Sequence, residues 1–453
     1  MQRRLVSLVA ATVLVSLIVV AGTGLTSEAF KWDKYAGQTI TVMLTQTPLS
    51  DGLRPLLSEF TKKTGIKVNY LVLAEAQYWN KLQIDLSSGA GEYDVFMSGP
   101  SFQWQWSLAG WIEPLDSYLS DKTKTSPDFD LADFYPAFLD ANRWNGKSGG
   151  GLGEGKLWGM PVNTETTLLS YRKDVLAKYG LKPPSNWYEW AECARAVKEK
   201  SNGEYYGVVQ RGAKDITSIQ AGFISSLFTY GGKDFEKDLE PAMNSPKAKE
   251  FTRIWIDTIK AAGPPDWPST MWYDEAQKFA SGKYAMVVDG DNFVAMYEDP
   301  AKSKVAGKLG YAPIPKGPDG AIRSNIWTWG FAMNAKSRHK DAAWMFIQWA
   351  SSKDTMARVT TAGSWPTRRS VWESDKLKAL ANWDNGNFYK VITSNYEKYA
   401  AWRPTPMTEL PAVWDRWIMA LHEIYFGQKS VDKALDDAAH DINQILIKAG
   451  LKK

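Results

Sequence analysis

The chain has 453 residues, 44% hydrophobic and 23% charged, with a formal net charge of +4. That is enough chain for two lobes with cores of their own, and it excludes a collagen-like or largely disordered protein. Charges of both signs are interspersed and no basic block appears, so nucleic acid is not an expected partner. In chain order, Arg3 and Arg4 precede a nearly continuous apolar run, Leu5 to Ala21, and Ser27-Glu28-Ala29 fits a small-x-small cleavage site. Residues 1–29 are therefore expected to be a cleaved signal peptide. No cysteine lies near it for lipid attachment, so the expected location is free in a periplasm. The only cysteine, Cys193, excludes an intramolecular disulfide and is expected to be a buried, inert thiol.

Thr39 to Thr47 reads as a strand stopped by Pro48, Leu53 to Thr64 as a helix ending at Gly65, and Ile66 to Leu73 as a second strand. A helix over Tyr78 to Ser88 closes at Gly89, and Glu92 to Ser98 is a third strand. Strand and helix alternate, which predicts an α/β lobe with a mainly parallel sheet. Ligands of such sheets sit beyond the carboxyl ends of the strands, where Thr45, Gln46, Ser98, Phe102, Trp104 and Trp106 fall. The Gly-rich stretch 141–157 contains Gly150, Gly155 and Lys156 at phosphate-loop spacing. Leu157 replaces the required hydroxyl residue and a strand follows, so it reads as a surface turn. Beyond it, helices are expected from near Lys173, near Trp187, around Asp274 to Ala280, over His339 to Ser351 and over Val431 to Ala449. Tyr205 to Arg211 and Tyr284 to Asp289 are expected strands.

Chemistry is poorly supplied. Histidine occurs three times, at His339, His422 and His440, without metal-ligand spacing, and no cofactor is expected. Asp289 and Asp291 end a strand in Val288-Asp-Gly-Asp. They are either turn residues or hydrogen-bond acceptors in a site. Glu165, in Asn163-Thr-Glu-Thr, and Arg211, just after a strand, are charged residues at element ends that either face solvent or point into a cleft. Trp327 and Trp329 are assigned to opposite faces of one extended segment, one in the core and one free to stack on a ring. Trp365 is a further candidate platform.

Four segments, in order, resemble family 1 of the extracellular solute-binding proteins, the sugar-binding group that includes maltose-binding protein. They are Gly159 to Leu176 followed by Gly180 to Trp190; Phe279 to Gly290; Ala312 to Gly320 running on to Ala332 to Ser337 and Ala342 to Trp349; and Gly363 to Arg369. The resemblance implies a two-lobed α/β fold of the type II periplasmic binding protein kind, with discontinuous lobes and a ligand cleft at the hinge. Residues 30–167 and 313–355 would form the N-terminal lobe, and 168–312 with 356–453 the C-terminal lobe. Crossovers would lie near Leu168 to Tyr171, Ala312 to Pro315 and Ser351 to Thr360. It also implies a ligand contact at Glu165, six residues before Tyr171, and a cleft segment at Asp289 to Asn292. Asn292 stands where maltose-binding protein carries an aromatic, which implies a smaller or differently stacked ligand. The expected ligand set is Gln46, Ser98, Phe102, Trp104, Asn163, Glu165, Arg211, Asp289, Asp291, Trp327, Trp329 and Trp365. With 22 Trp, 20 Tyr and 17 Phe, several aromatic faces are expected to line that cleft and stack on sugar C–H faces. The implied function is capture of a sugar or polyol by a non-catalytic monomer that delivers it to an ABC permease. The rival reading is a secreted carbohydrate-active hydrolase, with the paired aspartates as its acid and base.

Overall fold

The computed structural model describes residues 29–453, so all but the last residue of the expected signal peptide lies outside the described residues. Within them, no helix is long and apolar enough to cross a membrane. The strands are β1 (Thr39–Thr45), β2 (Lys67–Leu73), β3 (Val95–Ser98), β4 (Ile112–Glu113), β5 (Arg143–Trp144), β6 (Lys156–Leu157), β7 (Met160–Arg172), β8 (Tyr206–Val209), β9 (Tyr284–Gly290), β10 (Leu309–Pro313) and β11 (Ile326–Asn334).

The main sheet runs in the order β2-β1-β3-β11-β7-β9-β8, with β10 beside β7 and β4 beside β11. β1 pairs in parallel with β2 and β3, and β8 with β9, while β11 and β7 run antiparallel to their neighbours. Helices cover the sheet, so central strands such as β3 and β9 are buried along their whole length. This is why they read as unbroken apolar runs rather than alternating ones.

β7 belongs to both halves of the molecule. Met160 to Thr166 pair with β11, and Thr167 to Arg172 pair with β9 and β10. Thr164 and Thr166 of β7 face inward with their hydroxyls satisfied by the neighbouring backbone, whereas the buried Thr167 hydroxyl has no partner among the described residues. Thr164 donates to Trp327 O at 3.1 Å and Thr166 to Asn325 O at 3.2 Å, while Thr328 of β11 donates to Asn163 O at 3.3 Å. These hydroxyls therefore lie in a core with their hydrogen bonds made.

The expected elements are present, with three shifts, one being that the strand expected over Glu92 to Ser98 begins at Val95. The helix expected over Leu53 to Thr64 is broken: Pro48–Leu53 and Leu57–Thr64 flank a 3₁₀ turn at Arg54–Leu56, where Pro55 lacks a backbone N–H. The helix expected from Tyr78 starts earlier, at Glu75. Cys193 is buried, and burial pushes its thiol up to about 12, so it stays protonated.

Candidate functional site

The two long antiparallel strands build the floor of the site. Side chains two apart on a strand share a face. Accordingly Glu165 on β7 and Trp327 and Trp329 on β11 stand on one partly exposed face, while Thr164, Thr166 and Thr328 fill the buried one. The assignment of Trp327 and Trp329 to opposite faces is thereby corrected: they are near-perpendicular neighbours with centroids 5.5 Å apart. The register shifts between Trp329 and Gly330, and a bulge of this kind locally re-aims side chains. The Trp329 indole beside Glu165 favours its ionised form.

These rings continue into an aromatic wall. Trp79, in the first turns of the helix Glu75–Ser88, stacks on Phe102 at 4.3 Å and on Trp329 at 6.1 Å. Phe102 meets Trp327 edge-on at 6.4 Å. Trp402, in the loop after the helix Asn387–Lys398, packs on Trp327 at 5.5 Å. Trp327 has its place because residue 99 is glycine; a Cβ there would lie 2.2 Å from the indole.

Opposite Glu165, on the carboxyl ends of β8 and β9, lies a buried polar cluster. Arg211 grips Asp289 with two hydrogen bonds of 2.6 Å, and its Nε is 3.6 Å from Glu275. Phe293 covers the guanidinium at 5.4 Å. Asp291 is fully buried; it accepts from the Tyr396 hydroxyl at 2.9 Å through Oδ2, while Oδ1 has no protein partner.

Burial dominates the electrostatics. It acts to raise the Asp289 carboxyl, but the Arg211 charge and hydrogen bonds from Glu275 and Arg211 outweigh it and hold Asp289 below the usual range. Burial and the neighbouring Asp289 charge push Glu275 well up, so it keeps its proton. Burial also drives Asp291 well up, against the Tyr396 hydrogen bond. Glu165 is raised by burial to about 7, with Arg211 opposing. The cluster therefore holds four carboxyl groups yet is close to neutral. It offers Glu165 as a tunable acceptor beside apolar ring faces, an arrangement suited to binding hydroxyl groups on a carbon skeleton.

Of the expected site residues, Phe102, Glu165, Arg211, Asp289, Asp291, Trp327 and Trp329 come together here. Four of the others have structural duties and the fifth, Gln46, lies at the rim. Trp104 is 1% exposed, packed against Trp144 and Trp402. Trp365 is fully buried against Trp372 and donates to Asp291 O at 3.3 Å, so it supports the cluster from behind and offers no platform. Ser98 donates to Gly330 O and accepts from Gln103 within the core. Asn163 donates to Ser364 Oγ at 2.9 Å. Gln46 is exposed at the end of β1, its backbone bonded to Leu73 O, at the rim next to the start of the Glu75–Ser88 helix.

Trp79, Glu275, Tyr396 and Trp402 join the site without having been expected. Only Trp79 carried a signal, an aromatic in the first turns after a parallel strand. Among the described residues no group of three or more His, Cys, Asp or Glu side chains is placed to hold a metal ion.

Comparison with known proteins places these features. The model of the bacterial extracellular solute-binding proteins matches residues 46–357. The erythritol/L-threitol-binding protein of Mycolicibacterium smegmatis is 34% identical over 421 residues, 91% of this chain and 87% of that protein. An ABC-transporter solute-binding protein from Agrobacterium vitis S4, solved with bound D-mannitol, superposes with a TM-score of 0.71 at 26% identity, over 91% of this chain and 99% of that one. Another from Agrobacterium radiobacter K84, in complex with ribitol, reaches a TM-score of 0.77 at 24% identity over 90% and 99%, a likeness of fold. The chain belongs to the bacterial extracellular solute-binding protein family.

Proposed function

We propose that this protein is the substrate-binding component of an ABC importer, which captures a short sugar alcohol or a sugar in the interlobe cleft and hands it to the membrane permease. The observation that carries this reading is the near-neutral buried cluster around Glu165 beside the aromatic wall, on strands shared by both halves. Relatives named for erythritol, L-threitol and mannitol, and a mannitol-bound neighbour, favour acyclic polyols within that class. The family's location is periplasmic or extracellular, and we infer a cleaved signal peptide and a free periplasmic monomer.

The lobe boundaries expected from sequence, 30–167 with 313–355 and 168–312 with 356–453, are retained as part of the proposal. β7 changes partners at Thr166/Thr167, and β10 sits with the second half. Closure around the ligand would exclude water and strengthen each hydroxyl bond. We infer binding without turnover. A hydrolase needs a free acid and a free base, whereas Asp289 is locked by Arg211 and Asp291 is buried against Tyr396. Titration calorimetry across C4–C6 alditols, monosaccharides and disaccharides tests the reading. Saturable binding of an alditol or sugar, with no new reducing ends from oligosaccharides, is expected; absence of any such binding overturns it.

A further inference from the structure

We propose that the cleft is closed at both ends, by Trp79 at one and by a strap of residues 399–409 carrying Trp402 at the other. The site then admits one acyclic polyol or one monosaccharide and refuses a glycosidically extended ligand. This rests on the polyol-binding reading above and adds the size limit and the residues that set it.

The rings follow one another in the order Trp79, Trp329, Trp327, Trp402, with centroid separations of 6.1, 5.5 and 5.5 Å. Only Trp329 and Trp327 lie between the two end rings, and they meet at 77°, a short corner with room for one small ligand rather than an extended flat face. Trp79 is held by stacking on Phe102, so its ring fills the end rather than extending the platform.

The other end is closed by two independent anchorages. Thr405 bonds Asp234 through its backbone N–H at 2.7 Å and its hydroxyl at 2.8 Å, which ties the strap to the second half of the molecule. Trp402, 4% exposed, plugs into the first half against Trp104 and Trp327.

The Gly-rich segment fastens the strap from the side of the first half. Gly149 donates its backbone N–H to Pro406 O at 2.8 Å. The Trp144 indole N–H holds the turn in shape through the carbonyls of Lys147 and Gly150, at 3.2 and 2.9 Å. Gly149 has φ +85°, and a Cβ there would lie 2.8 Å from the Leu239 side chain, so only glycine lets the turn dock. The stretch that reads in sequence as a plain surface turn therefore pins the end-wall of the cleft.

The test compares the tightest-binding C4–C6 alditol with maltitol, a hexitol bearing a glucosyl group, on the full mature chain. The variants are Trp79→Ala, Trp402→Ala and Gly149→Val, each first checked for folding by circular dichroism. Wild type should prefer the alditol by more than about 100-fold, and in Trp79→Ala or Gly149→Val that preference should fall below about tenfold through a gain in maltitol affinity. Trp79 is partly exposed and Gly149 lies in a surface turn, so these variants stand even if Trp402→Ala does not fold. Alditol binding by wild type with maltitol within tenfold overturns the size limit alone. So does a preference that survives intact in both Trp79→Ala and Gly149→Val. Wild type that binds no alditol or sugar overturns the functional reading itself.

Discussion

Glu165 is the residue on which recognition and stability meet. Its carboxyl titrates at about 7 in the fold against an ordinary 4.5, because burial penalises the ionised form more than Arg211 favours it. Between those two values the folded protein holds more proton than the unfolded chain, so stability falls as pH rises from about 4.5 to about 7 and is level above. The side chain is partly accessible, so the loss is on the order of 2 kcal/mol rather than a full burial penalty. Glu165→Gln removes the titration. Urea unfolding at pH 5 and pH 8 should differ less in the variant than in the parent. Binding follows the opposite slope, because ligand hydroxyls donate to the ionised carboxylate. Alditol affinity should therefore rise from pH 6 to pH 8 in the parent and stay flat in Glu165→Gln. The variant should bind about 10- to 100-fold more weakly at pH 8, the worth of a hydrogen bond to a charged acceptor. Calorimetry at several pH values checks this, and a parent whose affinity weakens as pH rises would assign the bond to the protonated acid instead.

At the scale of elements, the site depends on how closely the helix Pro100–Leu108 approaches β11. Gly99 opens that helix directly beneath Trp327, and the indole cannot give way as a flexible chain end would. Gly99→Ala should cost about 1–3 kcal/mol in stability through overpacking. It should also weaken alditol binding, since the displaced indole carries half of the platform; chemical denaturation and calorimetry read the two effects separately. The elements themselves were largely legible in sequence. β1, β2 and β3 are apolar runs bounded by Pro48, Gly65 and Gly89, and Glu165, Arg211 and Asp289 stand out as charges beside apolar runs, Arg211 and Asp289 at strand ends and Glu165 in the middle of the long strand β7. Trp104, Trp327 and Trp365 could not be sorted, because an indole suits a core and a cleft equally and only tertiary packing decides between them. Tyr396 was illegible for a different reason: it meets Asp291 across 105 residues of chain, and nothing local marks a tyrosine for a distant carboxyl. The same holds for Trp402, brought to the platform from the C-terminal third.

For the whole molecule, the shared strand β7 makes the two halves thermodynamically coupled. A ligand bonded to Glu165, just before β7 changes partners, and seated on the platform is held by the strand both halves share, so its binding energy opposes unfolding of each. At a free concentration 100 times its dissociation constant, such a ligand adds about 2.7 kcal/mol to the folded state. For a chain of this size unfolding in one transition that corresponds to a rise in Tm of roughly 3 °C. The rise should grow with the logarithm of alditol concentration and appear as one cooperative transition, because the sheet from β2 to β8 is continuous through β7. Differential scanning calorimetry gives the shift, and small-angle scattering on the same samples should give a smaller radius of gyration as the cleft shuts. The two readouts separate alternatives that either alone would merge. A higher Tm with no compaction would mean that the ligand binds one half without drawing in the other. Two transitions, only one of them moved by ligand, would mean that β7 does not couple the halves. Compaction together with a single shifted transition is what capture across a shared strand requires.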